Sequence, residues 1–589
     1  MGLVSNIMSD PKRATGTALV VYAVAIAFSA IALGTFIASL VIVIGSLFVY
    51  FVLALSLRRA TVEAFYVAER KIPPVINGAA TAADWMSAAS YLSMAGTIAL
   101  LGFDALIYII GWTLGYTLMS FTVAPFIRRS DTYTVPEFIE ARAGRWGPAR
   151  VVAVIMLFIM NLTYLTAQLQ GVGVVFGRFL GIPAAIGVFV GVLGTVLYSW
   201  TSGWRSITWV QFLQYIFLIT MYWTPVLIAS YFLGLLRPLP HFTYGELVST
   251  LEAKEVAYGL RPWTEPFARP LAAGTGQLNW IMSAVLLMLG TMGLPHILIR
   301  YYTVPSMRDA RYSVGWSLVF IGLLYVTASI YAAIARYSFS QLWGMRVSDA
   351  MQVEWVKKWL PTGLITIRDS NNDGILQPAE LTFHGDIVVV GMPDMFGMIW
   401  IISPFVAMGG LAAAISTADG LLLAMSTGVT RDIYKRFINP QVSERSEVWL
   451  ARVILWIIGV IAAILAAQAV ADPRFAIYVA LLVAWAFVFA ASSLTPIIML
   501  GIFWKRLNRY GIVAGMIAGM LTAFPYVLLV GVFNYPPIEI AGQKIGTIAW
   551  GIIGFFANLI TAVVVSLLTR PEGEEVMRFV DKCRTPEIK

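Results

Sequence analysis

Long apolar segments recur along the chain, separated by shorter polar stretches. Most are about 20 residues long or longer, which is enough for a helix to cross a bilayer. In lipid only a helix satisfies its backbone hydrogen bonds within one segment, so these segments are predicted to be helices. The pattern predicts an all-α polytopic membrane protein with about 14 transmembrane helices, at about 16–34, 37–57, 78–99, 101–127, 149–173, 181–200, 207–235, 277–299, 313–335, 391–424, 450–469, 475–502, 510–533 and 546–568.

The composition supports this prediction and excludes several classes of protein. Of the 589 residues, 59% are hydrophobic and 12% are charged, whereas a soluble protein carries about 25% charged residues. A soluble enzyme, a disordered protein and a nucleic-acid-binding protein are therefore excluded. The net charge of +9 comes from short Lys and Arg clusters between the apolar segments. The single cysteine, Cys583, excludes an intrachain disulfide and a cysteine metal cluster.

The positions of the basic residues predict how the chain crosses the membrane. If the N-terminus is cytoplasmic and the segments alternate, most of the 40 Lys and Arg residues fall on the cytoplasmic side. The long loops 236–276 and 336–390 then lie outside, and both termini lie in the cytoplasm. We expect a multi-pass protein of the cell (cytoplasmic) membrane, surrounded by lipid. No Lys or Arg lies in the middle of a predicted segment, so an anionic solute would be held by helix ends, hydroxyls and amides.

The third segment is rich in small and hydroxyl-bearing residues over Asp84–Thr97 (DWMSAASYLSMAGT). One interpretation is tight helix packing, because small residues let helices approach closely. The other is a discontinuous helix whose freed carbonyl groups coordinate a cation. Asp84 lies near the predicted inner end of the segment, where we expect it to cap the helix.

Two adjacent hydroxyls and an acid lie deep inside the tenth segment. Ser416 and Thr417 follow a run of glycines and alanines, and Asp419 comes shortly after them. Asp419 lies more than three helical turns before Arg431, roughly 18 Å along the axis. An ionisable residue at this depth is costly and should face a cavity or a partner. It could carry a proton, pair with a solute amine or be satisfied by neighbouring hydroxyls.

Several stretches of the chain resemble one family of membrane proteins. They are Asp84–Ser90 (DWMSAAS), Gly102–Tyr108 (GFDALIY), Gly290–Leu298 (GTMGLPHIL), Arg300–Val304 (RYYTV) and Arg308–Arg311 (RDAR). Over about residues 36–568 the chain is similar to the sodium:solute symporter family, and most like its acetate-permease-type (monocarboxylate) branch. The first segment is an addition to the family's usual thirteen, and a small membrane partner for it stays an open question.

The resemblance implies an inverted five-plus-five helix bundle of the LeuT type. The two repeats would cover 78–235 and 277–502. The outer loop 236–276 would lie between them, and the outer loop 336–390 would lie inside the second. The remaining parts would be two N-terminal spans (1–77), two C-terminal spans (503–568) and a cytoplasmic tail (569–589).

The resemblance also implies a sodium site between the first helix of repeat one and the third helix of repeat two. Aligned by motif, its carbonyl ligands fall at Ser93, Gly96 and Ala413, and its hydroxyl ligands fall at Ser416 and Thr417. Five neutral oxygens suit Na+, a hard cation, and leave no fixed charge to prevent its release. Gly96 suits the break in the helix, because glycine tolerates unwound backbone.

These features predict a sodium-coupled secondary symporter, not an enzyme, that imports a small organic solute. The resemblance implies a short-chain monocarboxylate such as acetate, and half-helix N-termini would attract its carboxylate. Family geometry makes Tyr164 and Gln168 candidates for the solute cavity. Asp419 departs from the expected acetate-permease pattern, which makes it a candidate for binding the substrate or a proton. The alternatives are a proton-coupled carrier that uses Asp419 and a non-transporting membrane sensor built on the same bundle.

A stretch of the second long loop matches an EF-hand calcium loop at every constrained position. We expect it to bind Ca2+ and to stabilise the loop next to the outer mouth of the protein. The predicted oxygen ligands are the side chains of Asp369, Asn371 and Asp373, the carbonyl of Ile375 and the bidentate carboxylate of Glu380.

Overall fold

Helices form nearly all of the fold. The computed structural model describes residues 10–58, 61–180, 182–201, 203–471 and 479–585. In the N-terminal half the helices are α1 (Pro11–Ala32), α2 (Thr35–Ser56), α3 (Val62–Val67), α4 (Pro74–Trp85), α5 (Met94–Leu101), α6 (Leu106–Thr122), α7 (Ala124–Arg129), α8 (Val135–Arg142), α9 (Gly147–Leu180), α10 (Ala184–Thr201), α11 (Trp204–Phe232) and α12 (Tyr244–Ala257). In the C-terminal half they are α13 (Gly276–Thr291), α14 (Pro295–Leu298), α15 (Met307–Ser340), α16 (Val347–Ala350), α17 (Glu354–Trp359), α18 (Ile387–Met395), α19 (Ile402–Thr427), α20 (Glu444–Ala471), α21 (Val479–Phe503), α22 (Arg509–Tyr526), α23 (Thr547–Leu568) and α24 (Glu574–Arg584).

Two short antiparallel hairpins lie in the loops. Strand β1 (Ile365–Ile367) pairs with β2 (Leu381–Phe383), so that Ile365 lies opposite Phe383. Strand β3 (Glu539–Ile540) pairs with β4 (Gln543–Lys544), and Glu539 lies opposite Lys544. The first hairpin flanks the predicted calcium loop and holds its two ends together.

Three predicted segments are interrupted. Helices α4 and α5 are separated by Met86–Ala88 and by a π-helical turn at Ala89–Ser93. Helix α13 is followed by a 43° bend before Pro295–Tyr302. The predicted segment 391–424 is wrong at its start, because α18 is a separate buried helix and α19 begins only at Ile402.

The predicted number of 14 spans is not confirmed. Within the described ranges, 11 helices are long and apolar enough to cross a membrane, or up to 12 if the bent pair counts as one span. The count falls short because α4 has only 12 residues and because the described apolar part of α10, Ala184–Val196, is shorter than a full span. Residues 475–478, at the start of the predicted segment 475–502, lie outside the described residues.

Helix α19 lies at the centre of the molecule. In the most apolar stretch of the span Ile402–Ile438, 100% of the residues are buried, against 22% in that of α1 and 33% in those of α20 and α23. A helix that is apolar on all sides belongs in the interior, where every face has a helix to pack against. Helix α19 packs against α9 and α11 and against the broken helix at α4. The core therefore surrounds the point where α19 meets the break.

The tail helix α24 packs against the ends of the spanning helices. Its buried side chains include Val576, Val580 and Cys583. Lys582 forms an ion pair of 2.8 Å with Asp131, which follows α7. The apolar face of the helix and its charged edge thus bind it to the body of the protein.

Candidate cation and solute site

The first helix of the core breaks directly after Trp85. Met86 has φ −77° and ψ 65°, which leaves the helical region. The next two amides bond elsewhere: the Ser87 N–H donates to the carbonyl of Trp85 (2.8 Å), and the Ala88 N–H donates to Oε1 of Gln168 (2.8 Å). In a continuous helix these amides would bond to the carbonyls of Ala83 and Asp84. The break therefore frees those two carbonyl groups.

The two hydroxyls of α19 bond to the freed carbonyls. Ser416 Oγ donates to the carbonyl of Ala83 at 2.7 Å and to that of Ala413 at 2.9 Å. Thr417 Oγ1 donates to the carbonyl of Asp84 at 2.6 Å and to that of Ala413 at 3.2 Å. Three carbonyls and two hydroxyls, all in fully buried residues, thus converge between α4 and α19. This donor set, which we call the five-oxygen cluster, is the neutral type that suits an alkali cation.

The structure places Ser93 and Gly96 away from this cluster. The predicted break at Gly96 is wrong, because α5 runs without interruption from Met94 to Leu101. Ser93 Oγ donates to the carboxylate of Asp386, in the stretch 384–386 before α18, which we call the outer segment because it belongs to the predicted outer loop 336–390. A Cβ on Gly96 would lie 1.9 Å from the carbonyl oxygen of Gly385. Gly96 therefore serves close packing of the outer segment. The carbonyls of the first core helix that bond to Ser416 and Thr417 are those of Ala83 and Asp84.

A basic residue is buried beside the cluster, contrary to the sequence expectation. Arg300 follows the bend after α13, and neither it nor Asp84 has any side-chain exposure. Its Nη2 lies 2.9 Å from Oδ2 of Asp84 and its Nε lies 3.1 Å from the same oxygen. The expected role of Asp84 as a helix cap is also wrong, since the residue lies in the last turn of α4 and its carboxylate pairs with Arg300.

The two candidate solute residues lie on one face of α9 beside the break. Tyr164 and Gln168 are four residues apart, which aligns them on a helix. Oε1 of Gln168 accepts the Ala88 N–H, while its Nε2 is buried without a hydrogen-bond partner among the described residues. The ring of Tyr164 lies 5.3 Å from that of His296 and 6.2 Å from that of Phe487.

Aromatic side chains enclose the same region. The ring of Phe487 lies 5.7 Å from Trp85 and 5.4 Å from Trp112. Both ring nitrogens of His296 are buried without a partner among the described residues. Buried polar groups normally have hydrogen-bond partners, so an unpaired amide and imidazole within an aromatic enclosure indicate a place for a ligand.

Asp419 has one hydroxyl partner. The Ser199 hydroxyl, on α10, donates to Oδ1 of Asp419, and Oδ2 is buried without a partner in the described part of the chain. The next residue, Gly420, packs on Asp84, because a Cβ there would lie 2.7 Å from Oδ1 of Asp84. Asp419 is thus close to the cluster along the helix but bonds to a different neighbour.

The predicted calcium loop folds through its own hydrogen bonds. Oδ2 of Asp369 accepts the Gly374 N–H at 3.0 Å, and Oδ1 of Asp373 accepts the Ile375 N–H at 2.8 Å. The two oxygens of Glu380 accept the N–H groups of Gln377 (3.0 Å) and Ser370 (2.8 Å). These bonds lower the pKa of Glu380, the Gln377 amide contributing most.

The calcium site itself is not supported. Among the described residues, no group of three or more His, Cys, Asp or Glu is arranged to hold a metal ion. Asn371 Oδ1 accepts the Asp373 N–H at 3.1 Å, so it too serves the turn.

Comparison with known proteins supports the same interpretation as the geometry. An uncharacterized symporter of Cupriavidus necator is 32% identical over 91% of this chain and 92% of its own length. A monocarboxylic acid transporter of Corynebacterium glutamicum is 29% identical over 82% of this chain and 83% of its own. Among solved structures, a Na+-coupled sialic acid symporter in a substrate-bound, outward-open state has a TM-score of 0.68 and 15% identity, covering 90% of this chain and 98% of that one.

The structural likeness confirms the predicted all-α bundle of the LeuT type. The boundaries of the inverted repeats stay predictions. The model of the sodium:solute symporter family matches residues 65–367 and 384–519. Because this match covers most of the chain and agrees with the predicted resemblance, the chain belongs to the sodium:solute symporter family.

Proposed function

We propose that the protein is a sodium-coupled symporter that imports a short-chain monocarboxylate such as acetate, and that it has no enzymatic activity. The observation that carries the proposal is the five-oxygen cluster between the broken helix α4 and the central helix α19. Its members are the carbonyls of Ala83, Asp84 and Ala413 and the hydroxyls of Ser416 and Thr417. Family membership and the symporter relatives support a solute symporter.

Sodium would link two helices that are joined in the structure by hydroxyl–carbonyl hydrogen bonds. The hydroxyls now donate their protons to the carbonyls, and a bound cation would accept lone pairs from both kinds of oxygen. Ala83 and Asp84 belong to the broken helix, and Ser416 and Thr417 belong to α19. Binding would therefore hold α4 against α19, and release would let the two separate. A ligand shifts a conformational equilibrium only by binding one state better than the other, and bridging two moving elements satisfies this condition.

The solute would bind where the helix is broken. A carboxylate would accept a hydrogen bond from Nε2 of Gln168, which has no partner among the described residues. It would also accept from amides at the start of the half-helix that begins after the break and leads into α5, because the partial positive charge there favours an anion. The rings of Tyr164, Trp85 and Phe487 would enclose a short apolar chain. The name of the Corynebacterium glutamicum relative, a monocarboxylic acid transporter, supports this choice of solute.

The membrane orientation is part of the proposal. We place the protein in the cell membrane with both termini in the cytoplasm, as the distribution of Lys and Arg favours. The outer segment that contacts Ser93 and Gly96 would then face the exterior.

The direct test is uptake of radiolabelled acetate into liposomes that contain the purified full chain. An inward sodium gradient should drive accumulation above equilibrium, and an equal potassium gradient should not. Uptake that ignores the sodium gradient would refute sodium coupling. Binding of sodium and acetate without any uptake would favour the sensor instead.

Proton coupling through Asp419 is the second candidate. It is favoured by the buried carboxyl oxygen of Asp419, which lacks a partner among the described residues. Asp419→Asn keeps the shape and the Ser199 hydrogen bond. In a sodium-coupled protein this variant should keep sodium-driven uptake, whereas in a proton-coupled one it should abolish uptake driven by a pH gradient.

Calcium binding by the outer loop stays a prediction. Side-chain oxygens of Asp369, Asn371 and Asp373 accept hydrogen bonds from backbone amides of the loop. The loop therefore has a folded shape that does not depend on a bound ion. Isothermal titration of the purified full chain with calcium, beside the variant Glu380→Gln, which removes the bidentate ligand, tests it. Equal heats for the two proteins would refute the site.

A further inference from the structure

Arg300 connects two helices of the core, α4 and α11, from a fully buried position. Its Nε and Nη2 bond to the carboxylate of Asp84 on α4. Its Nη1 donates to Oγ1 of Thr208 at 3.1 Å, and its Nη2 donates to Oε1 of Gln211. The guanidinium carbon also lies 4.5 Å from the centre of the Trp204 ring. Arginine suits such a position because its planar fork can serve several acceptors at once.

Two of these partners, Asp84 and Gln211, contact residues of the five-oxygen cluster. The backbone carbonyl of Asp84 accepts the Thr417 hydroxyl at 2.6 Å. Nε2 of Gln211 donates to the backbone carbonyl of Ser416 at 2.7 Å. The guanidinium is thus connected to the cluster by two separate chains of hydrogen bonds, one through Asp84 on α4 and one through Gln211 on α11.

The charges of Arg300 and Asp84 cancel each other. Arg300 and Asp84 form an ion pair with no exposed side-chain surface, so the five oxygens lie beside a positive and a negative charge of equal size. A buried carboxylate without its cation is strongly unfavourable and attracts any cation that can reach it. The Asp84 carboxylate and a cation bound at the carbonyl of the same residue would be close enough for this attraction.

We propose that Arg300 is a positioning residue that weakens sodium binding by holding and neutralising the Asp84 carboxylate. This inference rests on the proposed sodium site and concerns its affinity. With Arg300 in place, sodium meets only neutral oxygens and can leave on the inner side. Without Arg300, the cation becomes the counter-ion of Asp84, so it binds more tightly and leaves more slowly.

The charge signs give the two single variants opposite effects. Arg300→Gln leaves the Asp84 carboxylate without its counter-ion, so sodium competes with a proton for that role and sodium affinity should rise. Asp84→Asn leaves the positive Arg300, so sodium affinity should fall. In the double variant the local charge is zero again, and the affinity should return towards that of the wild type. A unit charge about 8 Å from an ion, in an effective dielectric of about 30, changes affinity by about tenfold.

The experiment measures binding of radioactive sodium alone to the purified full chain in detergent. It needs no knowledge of the solute. The dissociation constant should fall about tenfold for Arg300→Gln, rise about tenfold for Asp84→Asn and lie within about threefold of wild type for the double variant. Arg300→Lys, which keeps the charge, should also stay within about threefold. Thermal unfolding of each protein shows that it is folded.

The outcomes separate this inference from the proposed function. If the wild type binds no sodium, the sodium site is refuted. If the wild type binds sodium but both single variants weaken binding, or the double variant is as weak as the weaker single one, then the pair is only a structural link and the inference is overturned. If Arg300→Gln does not fold, the two other single variants decide: Asp84→Asn must weaken sodium binding, and Arg300→Lys must leave it unchanged.

Discussion

The contact of Gly96 with the outer segment gives a sharp prediction for Gly96→Ala. The added methyl carbon would lie 1.9 Å from the carbonyl oxygen of Gly385 and 2.3 Å from its carbon. Backbone atoms cannot rotate away as a flexible side chain can. The neighbouring His384 is also tied by its N–H to the carbonyl of Leu364 at 2.8 Å. We therefore expect the outer segment to retreat from α5.

The size of the effect follows from the overlap. Ordinary van der Waals contact begins at 3.4 Å, so the carbonyl must withdraw by about 1.5 Å or α5 must shift. Overpacking of this kind costs about 1–3 kcal/mol. If this cost falls only on the conformation in which the outer segment packs on α5, the ratio of molecules with the segment withdrawn to molecules with it packed rises about 5–150-fold.

The accessibility of the adjacent Thr97, which is 3% exposed, reports this change. Thr97→Cys, made in a Cys583→Ser background, would be labelled with a maleimide in detergent, and Gly96→Ala should raise the labelling rate at least about fivefold. The matched control is Gly322→Ala on α15, where a Cβ meets nothing within 4 Å. The reasoning is refuted if Gly96→Ala leaves the rate unchanged, or if Gly322→Ala raises it equally.

Three further predictions concern the cluster, the tail and the outer loop. Ser416→Ala with Thr417→Ala removes two of the five oxygens, so the sodium concentration for half-maximal uptake should rise about tenfold or more. Burial raises the pKa of the Cys583 thiol to about 12, so maleimide labelling at pH 8 should be slow in the folded protein and fast after unfolding, as measured by mass spectrometry. The lowered pKa of Glu380 means that the ionised form stabilises the loop above pH 4.5 and that this stability is lost as the pH falls through the lowered value. Limited proteolysis should therefore cut the loop faster at pH 3 than at pH 7.

Each of these has an outcome that contradicts it. For the cluster, the control is Ser426→Ala with Thr427→Ala, whose hydroxyls bond to the Leu423 carbonyl of their own helix at 3.1 and 2.7 Å. An equal loss of sodium dependence in this control would remove the special role of the cluster. Rapid labelling of Cys583 in the folded protein would show that α24 does not bury it. Proteolysis that does not depend on pH, or a Glu380→Gln variant as resistant as the wild type, would count against the loop prediction.

The sequence predicts those parts of the fold that depend on local pattern. Long apolar runs become helices because backbone groups in lipid must bond within their own segment, and α19 is both the most buried span and a segment with small residues on all sides. Ala413, Ser416 and Thr417 share one face of that helix through their spacing alone. Their proximity to one another therefore needed no tertiary information.

The carbonyl groups that the broken helix contributes to the cluster could not be predicted in the same way. The sequence indicated a discontinuous helix within Asp84–Thr97, but it did not place the break at Met86, where the Ala88 amide bonds to Gln168 on a different helix. Gly96 looked like the break because a glycine that permits close packing and a glycine that permits unwinding are the same in sequence.

The buried ion pair was missed for a related reason. A charge at the end of an apolar run is normally solvated, and the sequence shows Lys and Arg only outside the middle of the predicted segments. Arg300 is buried because Asp84, far away in sequence, supplies its counter-charge. Only knowledge of the fold brings the two together.

The hydrogen bond between Gln168 and the Ala88 amide has a consequence for selectivity. The Ala88 amide at the start of the half-helix already has Oε1 of Gln168 as its acceptor, so a solute that bonds to this amide in the proposed site must displace that oxygen, which is itself a good acceptor. An uncharged analogue such as acetamide would merely exchange one carbonyl for another and gain almost nothing. Only an anion adds attraction to the helix end beyond what the Gln168 side chain provides. The proposed site should therefore favour an anion over an uncharged molecule of the same shape.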